Sequence, residues 1–211
     1  MFEKFFYYAA TFLATGPALF GVRGGFEQPA YAVRATPSPN LEIRDYGATV
    51  AVQAVVADPD RKQASETAFR LLFAYIVGEN TGGAAIAMTT PVRMTPTLVP
   101  MTTPVRSEPG TANALTMRFF LPQKYAANPP VPSDSRVSLV TTRATTVATL
   151  RFSGNPDGSA VADRERELLA RLAGTAWRAK GAPYLLAYDP PFTISFLKRN
   201  EIAVEVSEAT R

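Results

Sequence analysis

The sequence has neither cysteine nor histidine. Without thiols there are no disulfides, no thiolate nucleophile and no zinc–thiolate or iron–sulfur site. Without imidazole the chain loses the commonest general base and the commonest transition-metal ligand. Carboxylates, hydroxyls, arginines and thioethers are left, a set that suits binding better than bond breaking. Lysine is scarce too: of 22 basic residues only five are Lys, and the arginines are scattered. The densest group, Arg164, Arg166 and Arg171, alternates with Asp163, Glu165 and Glu167 and reads as a solvated helix face. A nucleic-acid surface needs a basic stripe with interleaved aromatics. None is written here, so the net charge of +4 is background and no nucleic-acid partner is expected.

What is present is ordinary globular material, 46% apolar and 19% charged over 211 residues, enough for one domain with its own core. An N-terminal segment stands apart from it. Residues 5–22 carry no charge between Lys4 and Arg23, which is at the short limit for a spanning helix of ~17–25 apolar residues, and Gly16-Pro17 interrupts the run. Three readings stand for residues 1–28: a membrane anchor or interfacial helix, a cleaved export signal, or a helix packed on the domain. They place the chain at a membrane, in a periplasm or in the cytoplasm, respectively. The folded domain is expected over residues 29–211.

Residues 31–36, 41–47 and 49–56 alternate apolar and polar positions between short Pro, Asn or Gly breaks, the pattern of antiparallel strands. The period changes at Asp58. Ala64, Ala68, Leu71, Leu72, Tyr75 and Ile76 recur at helical spacing, with Asp58 or Asp60 to cap the start and Gly78 to stop it. Between Thr89 and Pro132, nine prolines in 44 residues forbid helix and confine strands to edges or short segments, residues 114–122 being the best of them. Strands follow at 136–142 and 145–154, a second helix at 157–174 ending on Gly174, and closing strands at 183–189 and 200–206. The two halves share one grammar. A weakly duplicated ββαβ-type unit predicts an α+β fold, with both helices on one side of a shared antiparallel sheet.

Met-Thr-Thr-Pro-Val-Arg occurs twice, at 88–93 and 101–106. Pro91 and Pro104 cannot donate to a ladder and paired Thr suits extended edges, so the repeat predicts a mobile, Met-bearing rim. With this repeat, the stretches "AFRLLFAYIVGEN", "AIAMTTPV", "MRFFLP", "ATLRFSG" and "YDPPFTISFLKRNEIAVEV" follow an order that resembles the SOUL haem-binding protein family. The likeness runs from Pro29 to Val206. It implies a twisted, partly barrel-like sheet of eight antiparallel strands with two helices and pseudo-two-fold symmetry, and it implies haem or a related tetrapyrrole as ligand.

A tetrapyrrole offers an apolar disc with carboxylates on one edge. Its faces call for flat or flexible apolar side chains and its edge for cations. Near the densest likeness, Phe69, Leu72, Tyr75 and Ile76 with Met88 and Met101 are the expected disc contacts, and Arg70, Lys198 and Arg199 the expected carboxylate partners. Each also has a plainer reading, core for the apolar residues and solvated charge for the cations. Some family members are credited with a histidine axial ligand, which this chain lacks. Met88, Met94, Met101 or Tyr75 is left to meet iron, or the disc is held by its faces and edge alone. The function expected is binding for buffering or delivery, not catalysis. One alternative is a membrane-associated scaffold that keeps the fold without the ligand. Another is a tetrapyrrole-modifying enzyme drawing on Glu79, Asp189 or Glu201.

Overall fold

The computed structural model describes residues 26–98, 113–189 and 193–209. Asp60 caps the first helix, α1 (Arg61–Ile76), its side chain accepting from the Lys62 and Gln63 amides; such a cap contributes about 1 kcal/mol. Asp157 caps α2 (Gly158–Ala173) in the same way through the Ala160 amide, and Gly174 ends it as expected. Past α1 the chain turns at Gly78, where φ is +122° and a Cβ would meet the Gly83 carbonyl oxygen at 3.3 Å. Only glycine fits that turn.

The strands are β1 (Tyr31–Ser38), β2 (Leu41–Tyr46), β3 (Thr49–Ala57), β4 (Val92–Leu98), β5 (Asn113–Phe120), β6 (Val137–Thr142), β7 (Thr145–Phe152), β8 (Trp177–Ala187) and β9 (Asn200–Glu208). They form one sheet in the order β1-β2-β7-β9-β8-β4-β5-β3-β6. The sheet has nine strands rather than eight. Without β1, which only extends the β2 edge, the order reads the same from both ends under exchange of the two halves: β2 matches β6, β7 matches β3, β9 matches β5 and β8 matches β4. The duplication is therefore real in topology, with one feature that periodicity does not encode: β2 pairs with β7, and β6 with β3, so each half lends its first strand to the other.

In the proline-rich stretch, where the sequence predicts strands at edges or as short segments, β4 is a seven-residue strand that is not at an edge. It lies centrally, between β8 and β5, although it contains Pro96. It pairs with β5 from Val92 to Leu98 but with β8 only from Val92 to Met94. Pro96 thus falls where one side of the strand is already an edge, the position a residue without an N–H tolerates. Near the start of the described residues Glu27 joins the domain: its carbonyl accepts the Thr90 amide and its carboxylate accepts the Gln123 amide.

Residues 47–48 and 143–144 each join strands from opposite ends of the sheet order. Two residues cannot span a flat sheet of this width, so the sheet rolls into an open barrel with the helices outside. α1 covers β3 and β5 over Val52, Ala68, Leu72, Met117 and Phe119. α2 covers β8 and β9 over Leu168, Leu172, Ile202 and Val204. Met94 packs against both clusters from the centre.

Candidate functional site

The helix-side surface is built on α1. Leu72, Tyr75 and Ile76 are 0%, 1% and 5% exposed. They face the sheet, and that burial leaves them no face for a ligand: they support the surface from beneath rather than form it. The Tyr75 hydroxyl donates to the Pro130 carbonyl at 2.8 Å. Burial, then Tyr125, pushes that phenol up to about 12, so in this structure it is neutral and engaged with the backbone. Phe69 and Phe73, one turn apart, stack with centroids 5.9 Å apart and stay half-buried. Phe69 also meets the Phe119 edge at 5.5 Å. Arg70 is exposed, and its guanidinium donates to the Thr67 hydroxyl at 3.2 Å.

The loop after α1 is pinned by buried Asn80, which donates to the Tyr75 and Ala84 carbonyls and accepts from the Ala84 amide. The Ile86 amide returns to the Ile76 carbonyl at 2.8 Å. Met88 is thereby held half-buried against the same core cluster as Phe69 and Phe73. The strand it leads into opens at Val92, paired with Ala187. The C-terminal end of α1 and the β8–β9 connection therefore share one end of the sheet. That connection carries Phe196, 74% exposed, and Lys198, whose Nζ donates to Asn155 at 2.9 Å. Met101 and the second copy of the repeat lie outside the described residues.

Arg199 departs from its expected role, because its guanidinium turns into the rolled sheet. There Glu201, 0% exposed, accepts two bonds from Arg44 (2.7 and 3.1 Å), two from Arg199 (3.0 and 2.6 Å) and one from the Tyr188 hydroxyl (2.8 Å). Arg44 also donates to Glu42 at 2.8 Å. Burial alone would push the Glu201 carboxyl up. The hydrogen bonds and charge of Arg44, with those of Arg199, outweigh it and hold the group below the usual carboxylate range. Burial, reinforced by Glu201, pushes the Tyr188 phenol far up. The cluster is closed and satisfied, so Glu201 is no free acid or base.

Farther along the same interior the arrangement opens into a cavity of about 350 Å3. Arg93 and Arg118 sit directly opposite each other across β4 and β5, and Glu205, Tyr184 and Phe120 share the cavity wall. The Arg93 guanidinium lies over the Tyr184 ring at 3.6 Å. Arg118 donates through Nε to Gln53 at 3.0 Å. Burial, then Arg93, lowers the Arg118 pKa. The sequence reading missed Arg93, Arg118, Tyr184 and Glu205. Their signal was the polar half of each strand's alternation, which normally faces water.

Among the described residues no group of acidic side chains is placed to hold a metal ion. No helix among them is long and apolar enough to cross a membrane, and the N-terminal hydrophobic run lies outside them. Over residues 26–205 the chain matches the family model described as SOUL heme-binding protein. The chain belongs to the SOUL family. A SOUL relative, heme-binding protein 2 of Homo sapiens, is 32% identical over 173 residues, 79% of this chain and 78% of that protein. Heme-binding protein 1 of Mus musculus is 29% identical over 181 residues, 85% of each chain. Among solved structures, the C-terminal domain of EcmrR superposes with a TM-score of 0.59 at 10% identity, over 80% of this chain and 98% of that one; at that identity the likeness concerns the fold alone.

Proposed function

We propose that this SOUL protein binds haem or a related tetrapyrrole on its helix side, without histidine, to buffer or deliver it rather than to change it. The observation that carries the reading is a half-buried apolar surface on α1 with Arg70 exposed beside it, in a chain whose relatives are named for haem binding. Phe69, Phe73 and Met88 would pack on the disc, flat and polarizable side chains against a flat apolar face. Arg70 and Lys198 would meet its carboxylates. Bound haem supplies that disc, two carboxylates and an iron. With Tyr75 engaged elsewhere and Met94 accepting from the Ser65 hydroxyl at 3.8 Å, Met88 is the described side chain best suited to touch iron, and only weakly. Binding should therefore depend little on the metal.

Absorbance titration of the full chain with ferric haem, and separately with metal-free protoporphyrin, tests this. One-to-one saturation by both ligands is expected, weakened at least tenfold by Phe69→Ala and by less in Arg70→Gln. No saturable shift with either ligand, or a shift indifferent to both substitutions, would sink the proposal.

A further inference from the structure

We propose that the cavity inside the rolled sheet is a second binding site, for a small organic anion with a flat apolar body whose carboxylate is gripped by Arg93 and Arg118. The argument starts from a repetition on β9. Glu201 and Glu205 are four residues apart on one face of that strand, and each has two arginines and a tyrosine in its neighbourhood: Arg44, Arg199 and Tyr188 bonded to the first, Arg93, Arg118 and Tyr184 lining one cavity with the second, which also has exposed Lys180 opposite it on β8. At the first every charge is paired within 3.1 Å. At the second, among the described residues, neither arginine forms an ion pair, with Glu205 or with any other carboxylate.

Like charges directly opposite on neighbouring strands destabilise a sheet, and the cost rises when both are half-buried. The fold nevertheless holds the two guanidiniums in place, one stacked on Tyr184 and one tied to Gln53 through Nε. Both of Arg118's terminal nitrogens are left without a protein partner among the described residues. Arg143 stands at the rim, so the cavity wall carries three arginines against one glutamate. A carboxylate is the planar group that a guanidinium fork fits, by paired N–H donors. The rest of the wall selects the body of the ligand. Phe120, Tyr46, Val147, Leu186 and Pro91 enclose a slot at the low end of the ~300–1,000 Å3 range of small-molecule sites, suited to one or two rings rather than a macrocycle. The site is thus separate from the helix-side surface and stands whether or not a tetrapyrrole binds there.

Isothermal titration of the full chain with 2-naphthoate, and with the uncharged 2-naphthamide, tests the proposal. We expect one-to-one binding of 2-naphthoate that weakens at least tenfold in Arg118→Gln and falls with added salt, while the amide binds at least tenfold more weakly. Glu205→Gln should tighten 2-naphthoate binding several-fold, a gain that structural damage does not produce and that decides the matter if Arg118→Gln fails to fold. Haem titration should be unchanged in Arg118→Gln. The proposal is overturned by the absence of saturable heat, by equal binding of the amide, by loss of affinity in Glu205→Gln, or by transfer of the sensitivity to Phe69→Ala.

Discussion

Glu201 and Glu205 occupy the same face of the same strand, and their surroundings are drawn from the same residue types, yet one is sealed and the other stands open. The difference is one of reach. Around Glu201 two guanidinium forks arrive from β2 and from the residue before β9, close on both carboxylate oxygens, and Tyr188 fills the remaining approach. Around Glu205 the arginines come from β4 and β5, stack or bond sideways, and leave space between themselves and the carboxylate. A polar barrel interior can therefore serve as a strut at one level and as a receptacle at the next. What separates them is whether the protein supplies the counter-charge.

If that contrast holds, deleting the sealed carboxylate should hurt most. Glu201→Ala strands Arg44, whose side chain is 3% exposed, and should cost about 3–5 kcal/mol, the range for breaking a buried pair, whereas Glu205→Ala should cost less than about 1 kcal/mol. Urea unfolding of both variants makes the comparison, and equal losses would erase it. A smaller effect is expected from acid. Because the folded-state pKa of Glu201 lies below its unfolded value, its contribution is complete above the ordinary range near 4.5 and fades as pH falls through the folded value. The wild type should therefore lose stability below about pH 4.5 more steeply than Glu201→Gln, as measured by melting temperature against pH. The smallest effect belongs to the open level. Arg118→Met relieves the repulsion from Arg93 and should leave stability within about 1 kcal/mol of wild type, on either side. A loss as large as that of Glu201→Ala would show Arg118 to be a strut as well.

Much of the frame was legible. The change to helical spacing at Asp58 with an aspartate to cap it marked the first helix, and helical spacing ending on Gly174 marked the second, because caps and period are local. β4 was not legible as a central strand, since its tolerance of Pro96 depends on where β8 stops pairing. Leu72, Tyr75 and Ile76 illustrate a different limit: helical spacing marks the buried stripe, and a family likeness in the same stretch does not say which stripe meets the ligand. Arg199 could have been placed, because residues 199, 201, 203 and 205 alternate onto one face. The interior arginines could not. Their strands read as half-solvated until the short turns at 47–48 and 143–144 roll the polar face inward, and that rolling rests on pairings such as Leu41 with Leu150.

The exchange of first strands has a consequence for synthesis. While the N-terminal half emerges, β2 finds no partner on its β7 side and β3 none on its β6 side, because both partners are still to be translated. Contacts between residues so far apart in sequence form late, and an exposed strand edge invites wrong pairing in the meantime. The protein cannot mature half by half. Both edges stay bare until β6 and β7 are available, and the barrel interior, with both its levels, is complete only once β8 and β9 have joined the sheet.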